Sequence, residues 1–89
     1  STIKVFTKKG KYIRNYGDLK CPRGIAIDRH GYSFVTEFEG KCISIFDPQG
    51  NIIHKMEVIG KPFRLALDLK TSSLYVCDYA AHIVLKYSI

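Results

Sequence analysis

Basic and aromatic side chains occur together in several short segments of this sequence that connect more apolar stretches. Arginine and lysine pair with phosphate or carboxylate groups, and aromatic rings stack on nucleobases, so the combination is typical of surfaces that bind single-stranded nucleic acid. The candidate binding residues are Arg23, Phe38, Lys41, Lys61, Phe63, Arg64, Tyr79 and His82. The alternative is that Phe38 and Tyr79 only pack internally and that the basic residues form a solvated rim.

The net charge also favours an anionic partner. Fourteen Lys and Arg residues against eight Asp and Glu residues give a formal charge of +6. This balance suits RNA or an acidic protein surface, although plain solubility explains it equally well. A second basic group, which includes Lys8, Lys9, Lys11 and Lys70, lies elsewhere in the chain, so charge alone does not locate the binding surface.

Residue patterns for catalysis or metal binding are not found. The three histidines, His30, His54 and His82, have no metal-ligand spacing. The sequence also has no nucleophile motif, no glycine-rich phosphate loop and no paired carboxylates. We therefore expect no enzyme activity, no metal and no cofactor. Three cysteines without CxxC spacing favour a reducing compartment, and apolar runs far shorter than the ~20 residues of a membrane span predict no membrane partner.

The elements that must position these residues follow from a repeat. Residues 43–53 read as a strand, an Asp-Pro-Gln-Gly turn and a return strand. Residues 3–13 repeat this pattern, with Phe6, Gly10 and Ile13 in equivalent places, and residues 84–87 repeat its first half. A period of about 40 residues indicates a repeat architecture.

Alternating and continuously apolar runs predict four short strands per repeat, named a to d, and no helix. The complete repeat has strands at 24–28, 33–38, 42–46 and 51–58, and the next has strands at 64–68, 74–79 and 83–87. The strands at 3–6 and 12–16 are equivalent to strands c and d, so the strand order along residues 1–89 is c-d, a-b-c-d, a-b-c. Four-stranded antiparallel repeats of this length are blades of a β-propeller, so we predict an all-β fold of two blades.

Three segments of the chain resemble the NHL repeat family. Residues 22–28 read PRGIAID where the family has P-x-G-I-A-V-D, and residues 74–79 read LYVCDY where it has I-Y-V-A-D-Y. Residues 42–50 read CISIFDPQG, which is similar to R-I-Q-V-F-D-x-x-G. The departures are Glu37 in place of Asp, Cys42 in place of Arg or His, Arg64 in place of Gly, and b–c loops without the family's Asn-rich form.

The resemblance implies a non-catalytic binding module that recognises RNA or protein. Propellers of this family are often the C-terminal domain of cytoplasmic tripartite-motif ubiquitin ligases, and they bind through the end that carries the d–a and b–c loops. Strand alternation gathers all the candidate binding residues at that end. Two other functions stay open: a metal-dependent propeller lyase or hydrolase, and a purely structural, self-assembling unit.

Packing between blades sets further expectations. Ala26 and Ala66 should lie packed near the propeller axis, and Asp28 and Asp68 should bond into the a–b turns. Propellers of the resembled family mostly have six blades, so three chains could close one ring as a homotrimer. A ninth strand complicates that closure, and a fragment of a longer propeller is the main alternative.

Overall fold

The computed structural model describes residues 1–89 and contains nine β-strands and no helix. The strands are β1 (Ile3–Phe6), β2 (Tyr12–Tyr16), β3 (Pro22–Ile27), β4 (Ser33–Glu37), β5 (Cys42–Phe46), β6 (Ile52–Glu57), β7 (Pro62–Asp68), β8 (Ser73–Asp78) and β9 (Ile83–Ser88). They form three antiparallel sheets: an N-terminal hairpin (β1–β2), a first blade (β3–β6) and a second blade (β7–β9). The all-β antiparallel prediction is confirmed.

Aspartate side chains stabilise the turns by accepting backbone N–H groups that have no partner in the strands. Asp47 accepts N–H groups of Gln49 and Asn51 at 3.0 and 2.9 Å, while Gly50 takes a positive φ of 88°. Asp28 accepts two N–H groups in the β3–β4 turn, and Asp68 accepts one in the β7–β8 turn. The predicted bonding of both acids into the a–b turns is therefore confirmed.

One hydrophobic core lies between the two blades. Phe34 and Ile43 from the first blade pack with Leu74 and Val76 from the second, and Ile43 and Leu74 are fully buried. Burying a large aliphatic or aromatic side chain contributes roughly 1.5–3 kcal/mol, so this cluster is a main source of cohesion.

A second core joins the first blade to the N-terminal hairpin. Val35 and Phe46 from the opposite face of the blade pack with Leu19, and Tyr16 meets the Phe46 ring edge-on at a centroid distance of 5.2 Å. Every residue of β4 is buried as a consequence, because the first blade is covered on both faces.

The backbones of the blades approach closely where β3 passes β7. A Cβ added at Gly24 would lie 2.7 Å from the carbonyl oxygen of Phe63 and 3.1 Å from Leu65. The same carbonyl accepts a hydrogen bond from the Thr36 hydroxyl of the first blade. Only glycine fits at this crossing, since any side chain would push the blades apart.

The outer face of the second blade is uncovered. Val84, which stands at the place of Ile43 in the repeat, is 63% exposed, whereas Ile43 is 0% exposed. Ala26 is half-buried, but Ala66 is exposed, so the expectation that Ala66 is packed is wrong for this chain. The physical reason is that no sheet lies against that face of β7 to β9.

Gly24→Ala should destabilise the chain by about 1–3 kcal/mol, because its methyl group collides with a backbone carbonyl that cannot rotate away. Chemical denaturation monitored by circular dichroism measures this loss. Gly40→Ala is the matched control, since Gly40 has no positive φ and its nearest neighbour is a side-chain atom at 3.2 Å. Equal losses in the two variants would contradict the proposed role of the crossing.

The isolated chain should self-associate through the outer face of the second blade, because contiguous exposed apolar surface favours association. Val84→Lys should reduce the mean molar mass measured by light scattering at high concentration. Ile59→Lys is the control, because Ile59 is 79% exposed but lies in the β6–β7 loop. A concentration-independent mass of one unmodified chain would contradict this expectation.

Candidate functional site

Four connections lie at one end of the blades, as strand alternation predicts. They are the β2–β3 and β6–β7 loops, which enter each blade, and the β4–β5 and β8–β9 turns, which link its central strands. Cys21 joins the first loop to the first turn by accepting the Phe38 N–H at 3.0 Å. Lys61 does the same in the second blade by accepting the Tyr79 N–H at 3.0 Å. Loop and turn therefore form one bonded unit in each blade.

Three aromatic rings from the two blades form a cluster at this end. The centroids of Phe38 and Tyr79 are 5.8 Å apart, and those of Phe38 and Phe63 are 6.3 Å apart. Phe63 and Tyr79 are closer, at 5.4 Å. These separations and tilts are in the range that aromatic pairs prefer.

Three cations lie over two of these rings. The Arg23 guanidinium and the Lys61 ammonium are 5.4 and 5.5 Å from the centroid of Phe38. The Arg64 guanidinium is 5.5 Å from the centroid of Phe63. Each such contact contributes roughly 0.5–1 kcal/mol when exposed, which orders the cations without neutralising them. We call these six residues, Arg23, Phe38, Lys61, Phe63, Arg64 and Tyr79, the aromatic–cation surface.

The two other candidate residues lie beside this surface. Lys41 and His82 occupy equivalent left-handed positions in the b–c turns, with φ of 53° and 56°. Neither side chain stacks on the three rings. Asn is enriched at such positions, so Lys41 and His82 occupy a backbone conformation that Asn adopts more readily than they do. His82 lines an open groove on the second blade, and Lys41 does not.

An open groove of about 650 Å³ adjoins the surface on the second blade. Its lining residues are Phe63, Arg64, Cys77, Asp78, Tyr79, Ala80, His82, Ile83 and Val84. This volume is in the range of small-molecule sites, and the lining combines apolar walls with a cation.

A carboxylate whose burial the sequence patterns did not predict lies beneath the surface. Glu37 is 1% exposed and accepts hydrogen bonds from the Lys20 N–H at 2.8 Å, the Cys42 thiol at 3.3 Å and the Ser44 hydroxyl. The Lys55 ammonium lies 3.7 Å away. Burial opposes ionisation of Glu37, but the hydrogen bonds, from Ser44 above all, outweigh it and lower its pKa.

The second blade carries an acid at the same place in the repeat. Asp78 is 5% exposed, and like Glu37 it directly precedes an aromatic residue. Its pKa is lowered mainly by the hydrogen bond from the Ala81 N–H, against the effect of burial, with further N–H bonds from Lys61 and Ala80. The signal that could have found both acids was their common position before the aromatic residue at the end of strand b.

Two other kinds of feature are absent from the structure. No three His, Cys, Asp or Glu side chains lie close enough together to hold a metal ion. The structure contains no helix of the length and apolar character that crossing a membrane requires.

Comparison with known sequences identifies a relative that covers part of the chain. No family model matches this chain. Protein brain tumor of Drosophila melanogaster, an NHL-repeat protein, is 34% identical over 55 residues. These residues are 60% of this chain but only 5% of that protein, so the chain spans a small part of its relative.

Comparison with solved structures identifies the fold. A streptogramin B lyase is similar over 99% of this chain, with a TM-score of 0.63 and 18% identity. A catalytically inactive virginiamycin B lyase from Staphylococcus aureus, solved with quinupristin, gives a TM-score of 0.64 and 20% identity over 99% of the chain. The chain spans 34% of the length of each lyase. The predicted β-propeller fold is confirmed, and the described residues form a fragment of one.

Glu37→Gln should lower the free energy of unfolding at neutral pH by roughly 1–3 kcal/mol, because a buried acceptor of several hydrogen bonds loses its charge. The pKa of Glu37 is lower in the folded chain than in the unfolded chain. Its contribution is therefore complete above the unfolded pKa and is lost as the pH falls through the folded pKa.

Urea unfolding at several acidic pH values measures this effect. The variant should lose less stability on acidification than the unmodified chain. Glu39→Gln is the control, because it removes an exposed carboxylate two residues away. An unchanged acid dependence in Glu37→Gln would show that another group causes it.

Proposed function

We propose that this chain is part of a non-catalytic binding module, an NHL-type propeller, and that its aromatic–cation surface binds single-stranded RNA. The observation that carries the proposal is the convergence of three rings and three cations from two blades onto one end. This arrangement supplies both contacts that sequence-tolerant binding of a single strand uses: ring faces for bases and cations for phosphates.

The rings have different tasks in this proposal. Phe38 is covered by two cations and Phe63 by one, so these two rings hold cations for the phosphate backbone. No cation lies over Tyr79, which is 60% exposed and borders the open groove. Tyr79 is therefore the ring on which a base stacks, a contact worth roughly 1–3 kcal/mol.

Two observations support the NHL type of the propeller. The chain carries the segments at 22–28, 42–50 and 74–79 that resemble the repeat, and it is 34% identical over 55 residues to an NHL-repeat protein. The setting in a cytoplasmic tripartite-motif ubiquitin ligase and the closure of a homotrimeric ring stay predictions from the resemblance and from the repeat number.

A metal-dependent lyase or hydrolase is the alternative from another functional class. The two similar solved structures are lyases, and the groove of about 650 Å³ has room for a small ligand. At 18% and 20% identity that similarity concerns the fold, so the RNA-binding proposal is preferred on the side chains of this chain itself.

The double variant Arg23→Glu with Arg64→Glu tests the proposed surface. It should weaken binding of a single-stranded RNA oligonucleotide roughly tenfold or more and reduce the salt slope by about 2, because two phosphate-pairing cations are lost. Fluorescence anisotropy at several salt concentrations measures both quantities.

Lys8→Glu with Lys9→Glu is the matched control. It changes the net charge by the same amount but acts in the β1–β2 turn, at the other end of the strands. Equal weakening by both double variants would show that net charge drives binding. Weakening by the control alone would place the binding surface at the opposite end, and tight binding of an acidic peptide instead of RNA would favour a protein partner.

A further inference from the structure

Asp78 connects the two chain segments that form the surface on the second blade. Its Oδ1 accepts backbone N–H groups from Lys61 at 3.5 Å, from Ala80 at 3.0 Å and from Ala81 at 3.1 Å. Lys61 lies in the β6–β7 loop, and the two alanines lie in the β8–β9 turn. A single carboxylate oxygen therefore fixes the loop and the turn relative to each other.

Lys61 is hydrogen-bonded through both its backbone N–H and its carbonyl oxygen, and its side chain reaches the neighbouring blade. Its N–H is bonded to Asp78, and its carbonyl oxygen accepts the Tyr79 N–H at 3.0 Å. Its ammonium lies 5.5 Å from the centroid of Phe38 in the first blade. The residue that Asp78 anchors is thus the one whose cation crosses between the blades.

The preceding glycine permits this close approach. Gly60 has a φ of 81°, and a Cβ added to it would overlap the Asp78 carboxylate. The loop therefore reaches the carboxylate only because residue 60 has no side chain.

The first blade repeats this arrangement with a longer acid. Glu37 accepts the Lys20 N–H at 2.8 Å, and the following Phe38 donates its N–H to the carbonyl oxygen of Cys21 at 3.0 Å. In both blades a buried acid binds the loop that enters the blade, and the next residue is a ring of the surface. This recurrence in two different sequence contexts indicates that the acid fixes the loop against the turn that carries the ring, and in the second blade the bonded loop residue, Lys61, also supplies a cation of the surface.

We propose that Asp78 is a positioning residue of the aromatic–cation surface, whose carboxylate holds the backbone of Lys61 so that the Lys61 ammonium lies over Phe38. The placement of Lys61 by Asp78 does not depend on any function, whereas its consequence for binding rests on the proposed RNA-binding function. In this role Asp78 acts through Lys61 and does not itself touch the ligand.

Charge and position predict opposite effects of removing this acid. A carboxylate near a cationic surface reduces the local positive potential, so charge alone predicts that its removal strengthens RNA binding. Asp78→Asn removes the charge but keeps an Oδ1 acceptor, whereas Asp78→Ala removes both. The two variants have the same net charge, so a difference between their RNA affinities measures the contribution of the Oδ1 acceptor.

We expect Asp78→Asn to bind a single-stranded poly(U) oligonucleotide at least as tightly as the unmodified chain. Asp78→Ala should bind about fivefold more weakly than Asp78→Asn, since Lys61 no longer holds its place over Phe38. Asp68→Ala is the control, because it removes an aspartate with one N–H bond at the other end of the strands. If the unmodified chain binds the oligonucleotide, equal affinities of the Asn and Ala variants would overturn the proposal.

A readout without RNA separates this inference from the proposed function. The Phe38 ring current should shift the Lys61 methylene proton signals upfield in the unmodified chain and in Asp78→Asn, but not in Asp78→Ala. If this pattern appears while the unmodified chain binds no RNA, the positioning role stands and the RNA-binding function fails. If the signals are the same in all three chains, the positioning role fails.

Amide hydrogen exchange covers the case in which Asp78→Ala does not fold. In the unmodified chain the amide hydrogens of Lys61, Ala80 and Ala81 should exchange slowly, although all three lie outside the strands. Exchange as fast as that of the exposed β1–β2 turn would overturn the proposal.

Discussion

The close crossing of β3 and β7 is the contact on which the rest of the structure depends. At Gly24 the two backbones approach until only a hydrogen atom fits, and the Phe63 carbonyl accepts a hydrogen bond from Thr36. This approach lets Phe34 and Ile43 share a core with the second blade. It also sets Phe63 next to Phe38, so the packing that stabilises the blades assembles the aromatic–cation surface.

Which residues are buried depends on whether a sheet has a neighbouring sheet on one face or on both. The first blade is covered on both faces, so β4 is buried throughout and carries the polar residues Thr36 and Glu37 in the interior. These groups are stable there because each has hydrogen-bond partners within the sheets or loops. The second blade has one covered face only, which is why Val84 is exposed where its counterpart Ile43 is buried.

Two buried acids lie below the surface and bind the segments that form it. Glu37 and Asp78 accept backbone N–H groups of the loops that enter the two blades. The exposed positions are occupied by the rings and cations, which contact bases and phosphates in the proposed function. This division explains how a strongly basic end can contain two ionised carboxylates without losing its positive character.

The sequence alone determined the strands, the turns and the end of the blades to which each candidate side chain belongs. These features depend on local chemistry: the two-residue period of Ile43 and Ile45, the turn acids Asp28 and Asp47, and a repeat that fixes which loops share an end. Knowing that a residue lies at one end of the blades does not show which other side chains it contacts. For this reason the prediction includes Lys41 together with the six residues that form one surface.

Only the tertiary structure decided the distances between the rings, the burial of Glu37 and the exposure of Ala66. Each depends on how closely one sheet packs on the next, and on whether a sheet is present at all, which no local pattern encodes. Residues such as Phe38 and Lys61 are remote in sequence and meet only because Gly24 lets the blades touch. The physical reason is that side-chain period and turn chemistry act over a few residues, whereas contacts between blades join residues tens of positions apart.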